Sequence, residues 1–179
     1  MYLTTHPIPD AHPVDTGWVD RALSAAGDPL GALVGCPLGS GDGIMIAGWP
    51  DPAAGRFQLI DARPGGGTAP ARYMQVTAFD GPRSAQWAAA EQFASTRRLW
   101  PAVRDVAGIV WALRLRAPDN AVTVVSLAET ADALHEAIRA IMSTQLLPEE
   151  DPALLTRPDR VGMYRLMHAD LPIRESPPG

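Results

Sequence analysis

Tyr73-Met-Gln-Val-Thr-Ala-Phe79, Asp80-Gly-Pro82, Ile109-Val-Trp-Ala-Leu-Arg-Leu-Arg116, Ala117-Pro-Asp-Asn120, Ala121-Val-Thr-Val-Val-Ser-Leu127 and Thr130-Ala-Asp-Ala-Leu-His-Glu-Ala-Ile138 together decide how this chain folds. The first run is strand-forming. Asp80-Gly-Pro82 stops it and starts a helix, because proline is tolerated at the first helical position. That helix is expected to reach Leu99 or Trp100, where Pro101 must break or kink it. Residues 109–116 and 121–127 are rich in β-branched and apolar side chains, and Ala117-Pro-Asp-Asn120 between them reads as a hairpin turn. Thr130 caps a helix of strong formers from Ala131 to Met142. Residues 161–168 supply a last strand.

The order β-α-β-β-α-β is the ferredoxin-like unit, so the expected class is α+β with an antiparallel sheet covered by helices. Upstream, residues 1–5 suit an edge strand that ends at His6-Pro7, since the residue before proline avoids helix. Asp15 is placed to cap a helix over residues 17–26. Residues 30–36 and 44–49 read as two strands around the glycine-rich loop 37–43, and residues 57–62 as one more. Arg63-Pro-Gly-Gly-Gly-Thr-Ala-Pro70 cannot sit inside a regular element and reads as a linker. Gly31-Ala-Leu-Val34 with Gly43-Ile-Met-Ile-Ala-Gly-Trp49 parallels Trp111-Ala-Leu-Arg114 with Ala121-Val-Thr-Val-Val-Ser-Leu127. This points to a degenerate internal repeat whose first copy has its second helix missing or reduced. The expected division is residues 1–64 as an N-terminal half, 71–170 as a C-terminal half and 171–179 as a proline-rich tail.

With 179 residues, 46% of them hydrophobic, the chain can bury a substantial core as one domain or two packed halves. No run approaches the roughly 18–20 apolar residues of a membrane span, and Met1-Tyr-Leu-Thr-Thr-His-Pro7 lacks the features of a signal peptide, so a cytoplasmic protein is expected. All 15 basic residues are arginine, which removes Schiff-base chemistry and the phosphate-loop lysine. A net charge of -5 with scattered arginines offers no stripe for nucleic acid. The single cysteine, Cys36, rules out an intrachain disulfide and reads as a buried inert thiol. His6 and His12 lack a ligand spacing, and Glu149, Glu150 and Asp151 read as a solvated turn leading into a short helix at 151–155, so no metal site is expected.

Strand alternation sorts the candidate functional residues. Gln75 and Thr77 share a face of their strand with Tyr73 and Phe79; Ile109, Trp111, Leu113 and Leu115 form an apolar face with Arg114 and Arg116 opposite; Tyr164 and His168 share a face of the last strand. If the apolar faces meet the helices, then Gln75, Thr77, Arg114, Tyr164 and His168 point into a semi-polar interior able to orient an oxygen-bearing aromatic ligand. Each also has a structural reading: His168 as a rim residue, Trp111 as core, Trp49 as the start of a loop, His135 as a solvated helix residue.

Met74-Gln-Val-Thr-Ala78, Leu99-Trp-Pro-Ala-Val-Arg-Asp-Val-Ala-Gly108 and Ser126-Leu-Ala-Glu-Thr-Ala-Asp-Ala-Leu134 resemble segments of the dimeric α/β-barrel superfamily, within it the antibiotic-biosynthesis monooxygenase-like group. The resemblance implies two ferredoxin-like halves whose sheets form one barrel with helices outside, here fused in one chain, and a homodimer as the oligomer. It implies a cofactor-independent monooxygenase acting on a small aromatic or polyketide-like molecule. Arg114 and Tyr164 would orient an ionised phenol, His168 would assist proton removal, and Gln75, Thr77, Trp49 and Trp111 would contact the ligand. Trp49 matches the tryptophan that often follows the third strand, whereas the second half has Ala128. The asparagine, tryptophan and helix-histidine set of haem-degrading relatives is not matched, since the strand offers Gln75 and Thr77 and His135 lies earlier in its helix. The alternative is a non-catalytic ligand-binding or assembly protein of the same fold.

Overall fold

The computed structural model describes residues 1–12 and 17–175. Its strands are β1 (Tyr2–Ile8), β2 (Gly31–Pro37), β3 (Gly43–Trp49), β4 (Phe57–Pro64), β5 (Tyr73–Phe79), β6 (Ile109–Arg116), β7 (Val122–Ala128) and β8 (Arg160–Ala169). They close into an antiparallel barrel in the order β1-β3-β2-β8-β5-β7-β6-β4. The helices are α1 (Gly17–Ala26), α2 (Ala85–Ala94), α3 (Trp100–Val103) and α4 (Ala131–Met142), with a π-turn at Ser95–Leu99 joining α2 to α3. The first four strands lie in the order β4-β1-β3-β2 and the last four in the order β8-β5-β7-β6. Two ferredoxin-like halves are therefore fused through β2 against β8 and β4 against β6. This is the expected α+β barrel. Residues 50–56, where the first half would carry its second helix, form only turns. No helix among the described residues is long and apolar enough to cross a membrane.

Barrel closure decides which side chains go inside. An eight-stranded barrel has an interior just wide enough for side chains to fill. Leu3, Leu33, Ile46, Met74, Leu113, Leu115 and Val125 fill it, each at most 1% exposed. This corrects the assignment of faces. The apolar side of β6, with Trp111, Leu113 and Leu115, points into the barrel, and the alternate side, with Ala112 and Arg114, points to the helices; Ile109, expected with Trp111, lies under α4 instead because the register shifts between them. The strongest apolar side belongs where no solvent or helix-borne polar group can reach.

Three other expectations are corrected. β1 does not end at His6-Pro7, because it pairs with β3 from Tyr2↔Trp49 to Ile8↔Gly43. Its other neighbour, β4, meets only Tyr2 and Leu3, which leaves the Pro7 end an open side that tolerates the missing N–H. The helix after β5 starts at Ala85, not at Pro82, because the Ser84 hydroxyl accepts the Trp87 N–H at 3.0 Å. Pro101 does not end the helical run either. The Trp100 N–H reaches back to the Ser95 carbonyl in the π-turn, and Pro101 falls in the first turn of α3, where its missing N–H costs little. At α4 the cap is as expected, the Thr130 hydroxyl accepting the Ala133 N–H at 3.1 Å. Asp15 and residues 176–179 lie outside the described residues.

The segment after β8 is more than a tail. Asp170 accepts the Ala32 N–H at 2.7 Å, and Leu171, 8% exposed, packs into the end of the barrel. Gly48 makes the room, since a Cβ there would strike the Leu171 side chain. Leu171→Ala should therefore cost about 2–4 kcal/mol, read as a lowered urea midpoint with an unchanged slope.

Candidate functional site

The outer face of β5–β8 forms a floor of short side chains. Backbone pairing lines up Ala112, Ser126, Gln75 and Met163 in one row and Arg114, Val124, Thr77 and Val161 in the next. Alanine, serine and threonine are too short to fill the space under α2 and the π-turn, whereas α4 packs on the sheet through Leu134 and Ala137 beside Ile109 and Ala128, so a gap remains between the sheet and the helices. Between them lies a cavity of about 650 Å³. Its roof carries Trp87, Glu91, Ser95, Arg98 and Trp100 from the α2–α3 run and Leu134 and Ile141 from α4. Residues 144–158 form the third wall, and Met142, Leu146 and Val161 make an exposed apolar rim. The π-turn widens the helix where Ser95, Arg98 and Leu99 enter the wall, a device common at functional sites.

Two ionisable side chains, Glu91 and Arg98, lie in the described wall of this cavity. Each is neutralised from behind. Arg114 Nη1 lies 3.3 Å and Arg116 Nη2 3.7 Å from a carboxylate oxygen of Glu91, whose side chain is 11% exposed. Burial pushes the Glu91 carboxyl above the usual carboxylate range, and the two guanidinium groups pull it back only in part. Burial likewise lowers Arg114, with Glu91 opposing. The Nε atoms of Arg114 and Arg116 are buried without a hydrogen-bond partner, so the arginines are not fully satisfied by this carboxylate.

At the other pole, Arg98 Nε donates to both oxygens of Glu150 at 2.9 and 2.7 Å, and Nη1 donates to the Thr144 hydroxyl at 2.8 Å. Glu150 was expected in a solvated turn, yet its side chain is 1% exposed. Burial works against its charge, but the Arg98 hydrogen bonds, the Leu147 N–H and the Arg98 charge outweigh that and hold it below the usual carboxylate range. The short helix that follows is present as Pro152–Leu154, capped by Asp151.

The residues singled out by sequence fall in separate places. Gln75 and Thr77 line the cavity and are joined by a 3.0 Å hydrogen bond from Gln75 Nε2 to the Thr77 hydroxyl. Arg114 stands behind Glu91. Tyr164 is on the opposite face of the sheet, inside the barrel, where its ring lies over Gly162 and Gly35. His168 is 3.0 Å from Asp170 and paired with Val34, a residue packed under α1. Tyr164 and His168 do not share a face because the β2–β8 register shifts between Val34 and Gly35, with Met167 the extra residue. Trp111 packs against the barrel core, and Trp49 donates its indole N–H to the Thr4 hydroxyl at 3.1 Å. No common interior gathers Arg114, Tyr164 and His168. Glu91 and Arg98 were missed, although their spacing of two helical turns was a readable signal that both occupy one face.

No family model and no curated protein matches the sequence. Solved structures do match in shape. An anthrone oxidase-like protein superposes with a TM-score of 0.60 and 13% identity over 93% of this chain and 91% of its own. A protein from Fusobacterium nucleatum, provisionally assigned as a monooxygenase, gives 0.56 and 8% over 92% and 91%. This chain shares their ferredoxin-like α/β-barrel fold. A haem-degrading enzyme from Listeria monocytogenes also superposes, at 0.51 and 8% over 92% and 97%. Haem does not fit the donor set here. Among the described residues the cavity wall presents no histidine, cysteine or tyrosine, its sulfur donor Met142 lies on the exposed rim, and Arg98 is committed to Glu150. Among the described residues no group of three metal-ligating side chains converges.

Proposed function

We propose that the cavity between the second sheet and its helices binds a planar, largely apolar phenolic molecule, and that the protein oxygenates it without a cofactor. The observation that carries this reading is Glu91: a buried carboxylate of raised pKa, alone among acids in the described wall, at the edge of an otherwise apolar cavity. Trp87 and Trp100 offer aromatic surface, and Gln75 and Ser126 offer hydrogen bonds to ring oxygens. Glu91 takes a proton from the substrate, Arg114 and Arg116 stabilise the charge behind it, and the resulting anion is electron-rich enough to react with O2. An anthrone-type CH2 and one O2 become C=O and water through a hydroperoxide that loses water. In this reading Glu91 holds the role that His168 was expected to fill.

The test is to titrate a hydroxyanthrone into the protein, following tryptophan fluorescence and, separately, oxygen uptake. Saturable quenching with one O2 consumed per quinone formed is the expected result. Quenching without oxygen uptake would favour the alternative, a non-catalytic ligand-binding protein of this fold. Absence of saturable quenching would remove the cavity as a binding site. The proposal includes the division of the chain into duplicated halves at residues 1–64 and 71–170, a cytoplasmic location and a homodimer, the last read directly by light scattering.

A further inference from the structure

The barrel is not filled along its whole length. At one end the large inward side chains give way to Val76, Ala78, Ala121 and Gly162, and a second cavity of about 350 Å³ remains. Three hydroxyl groups enter it from three strands: Thr5 on β1, Thr123 on β7 and Tyr164 on β8. Thr123 is 5% exposed, so its hydroxyl has little access to bulk water. Arg56 and Arg160 stand in the wall with one carboxylate, Asp80. Arg160 is 2.7 Å from Asp80, and Arg56 is 3.3 Å from Asp119. Burial raises the Tyr164 phenol, which Arg160 opposes and Asp42 reinforces, so at neutral pH it is a protonated donor.

Buried hydroxyls without partners are costly, and native interiors normally satisfy them. These three are not buried in hydrocarbon; they face a space large enough for a ligand, which Phe57 and Val76 also line. The wall thus has a donor-rich side, two guanidinium groups each paired with a carboxylate, and an apolar side. We propose that this barrel-end cavity is a second binding site, for a small carboxylate whose oxygens take the Thr5, Thr123 and Tyr164 hydroxyls and whose hydrocarbon body packs on Phe57 and Val76. The site does not depend on the reading of the first cavity, from which it is separated by Phe79 and Val161, residues that line both.

Benzoate is a suitable probe, with benzamide as its uncharged counterpart, titrated into the full chain and followed by amide chemical shifts. Benzoate should saturate with the largest shifts around Thr123 and Gly162, and benzamide should bind at least about tenfold more weakly, because charge-assisted hydrogen bonds are the stronger ones. Thr123→Val and Tyr164→Phe, near-isosteric changes, should each weaken benzoate by about tenfold or more. Ala78→Leu, which fills the space, should abolish binding. Equal affinity for benzamide, shifts centred on Gln75 and Ser126 instead, or unchanged benzoate affinity in the variants would overturn the assignment.

Discussion

Glu91→Gln is expected to lower oxygen-dependent turnover by about 10²–10⁴-fold while ligand affinity changes by less than about threefold. Glutamine keeps the shape and the hydrogen-bonding reach of the side chain but cannot take a proton. In a cavity whose other described ionisable wall residue is an arginine already paired with Glu150, nothing replaces it. Stopped-flow oxygen consumption and fluorescence titration on the same sample separate the two effects. Glu91→Asp should retain a measurable rate, since it preserves both the carboxylate and a counter-charge for Arg114 and Arg116. A loss of rate caused only by leaving those arginines unpaired would come with altered near-ultraviolet circular dichroism in Glu91→Gln, whereas loss of the proton acceptor alone leaves that spectrum unchanged.

The pH dependence gives the same test a sign. A base works when ionised, and burial raises the Glu91 carboxyl. Activity should therefore climb with pH along an acid limb that lies above the ordinary carboxylate range, and that limb should disappear in Glu91→Gln. Arg114→Gln removes the nearer of the two cations and should move the limb further up in pH, because burial would then act with less opposition. A wild-type limb at the ordinary carboxylate position, or one that survives in Glu91→Gln, would exclude Glu91 as the proton acceptor.

Local chemistry was the legible part of this sequence. The Thr130 cap and the hairpin between β6 and β7 each depend on a few neighbouring residues and lie where the residue types place them, and the linker does so from Gly65 on, β4 having run through Arg63 and Pro64 into its expected start. What depended on closure was not legible. Alternation separates Trp111, Leu113 and Leu115 from Arg114, but it cannot say which side faces a helix until the sheet is known to close on itself. One extra residue at Met167 then reverses the face of His168 relative to Tyr164, and no local signal marks that position. Leu171 and Glu150 looked like tail and solvated turn because their burial comes from partners far along the chain, Gly48 for one and Arg98 for the other.

Replacement of Glu150 by alanine should destabilise the protein by about 3–5 kcal/mol, a large fraction of the roughly 5–15 kcal/mol typical of a domain. Exposed pairs such as Arg139–Glu136 and Arg104–Asp105 belong to a class worth about 0–1 kcal/mol. The Arg98–Glu150 pair differs because both partners are largely removed from water, with side chains 12% and 1% exposed, and deleting the carboxylate strands a buried guanidinium. Arg98→Met combined with Glu150→Leu should recover most of the loss, since neither charge is then left alone; urea denaturation of the two single variants and the double variant measures the coupling. The carboxyl of Glu150 is depressed in the folded chain. Its contribution is therefore complete above the unfolded-state pKa and is lost as pH falls through the lower folded value. Wild-type stability should drop across that acid window, and Glu150→Ala should lack this component of the drop. The pair also holds residues 144–150 against the helix run, Arg98 reaching both Thr144 and Glu150. The same variant should accordingly bind the hydroxyanthrone more weakly at neutral pH, and undiminished stability with undiminished affinity would show that the wall of the cavity is held in place by something else.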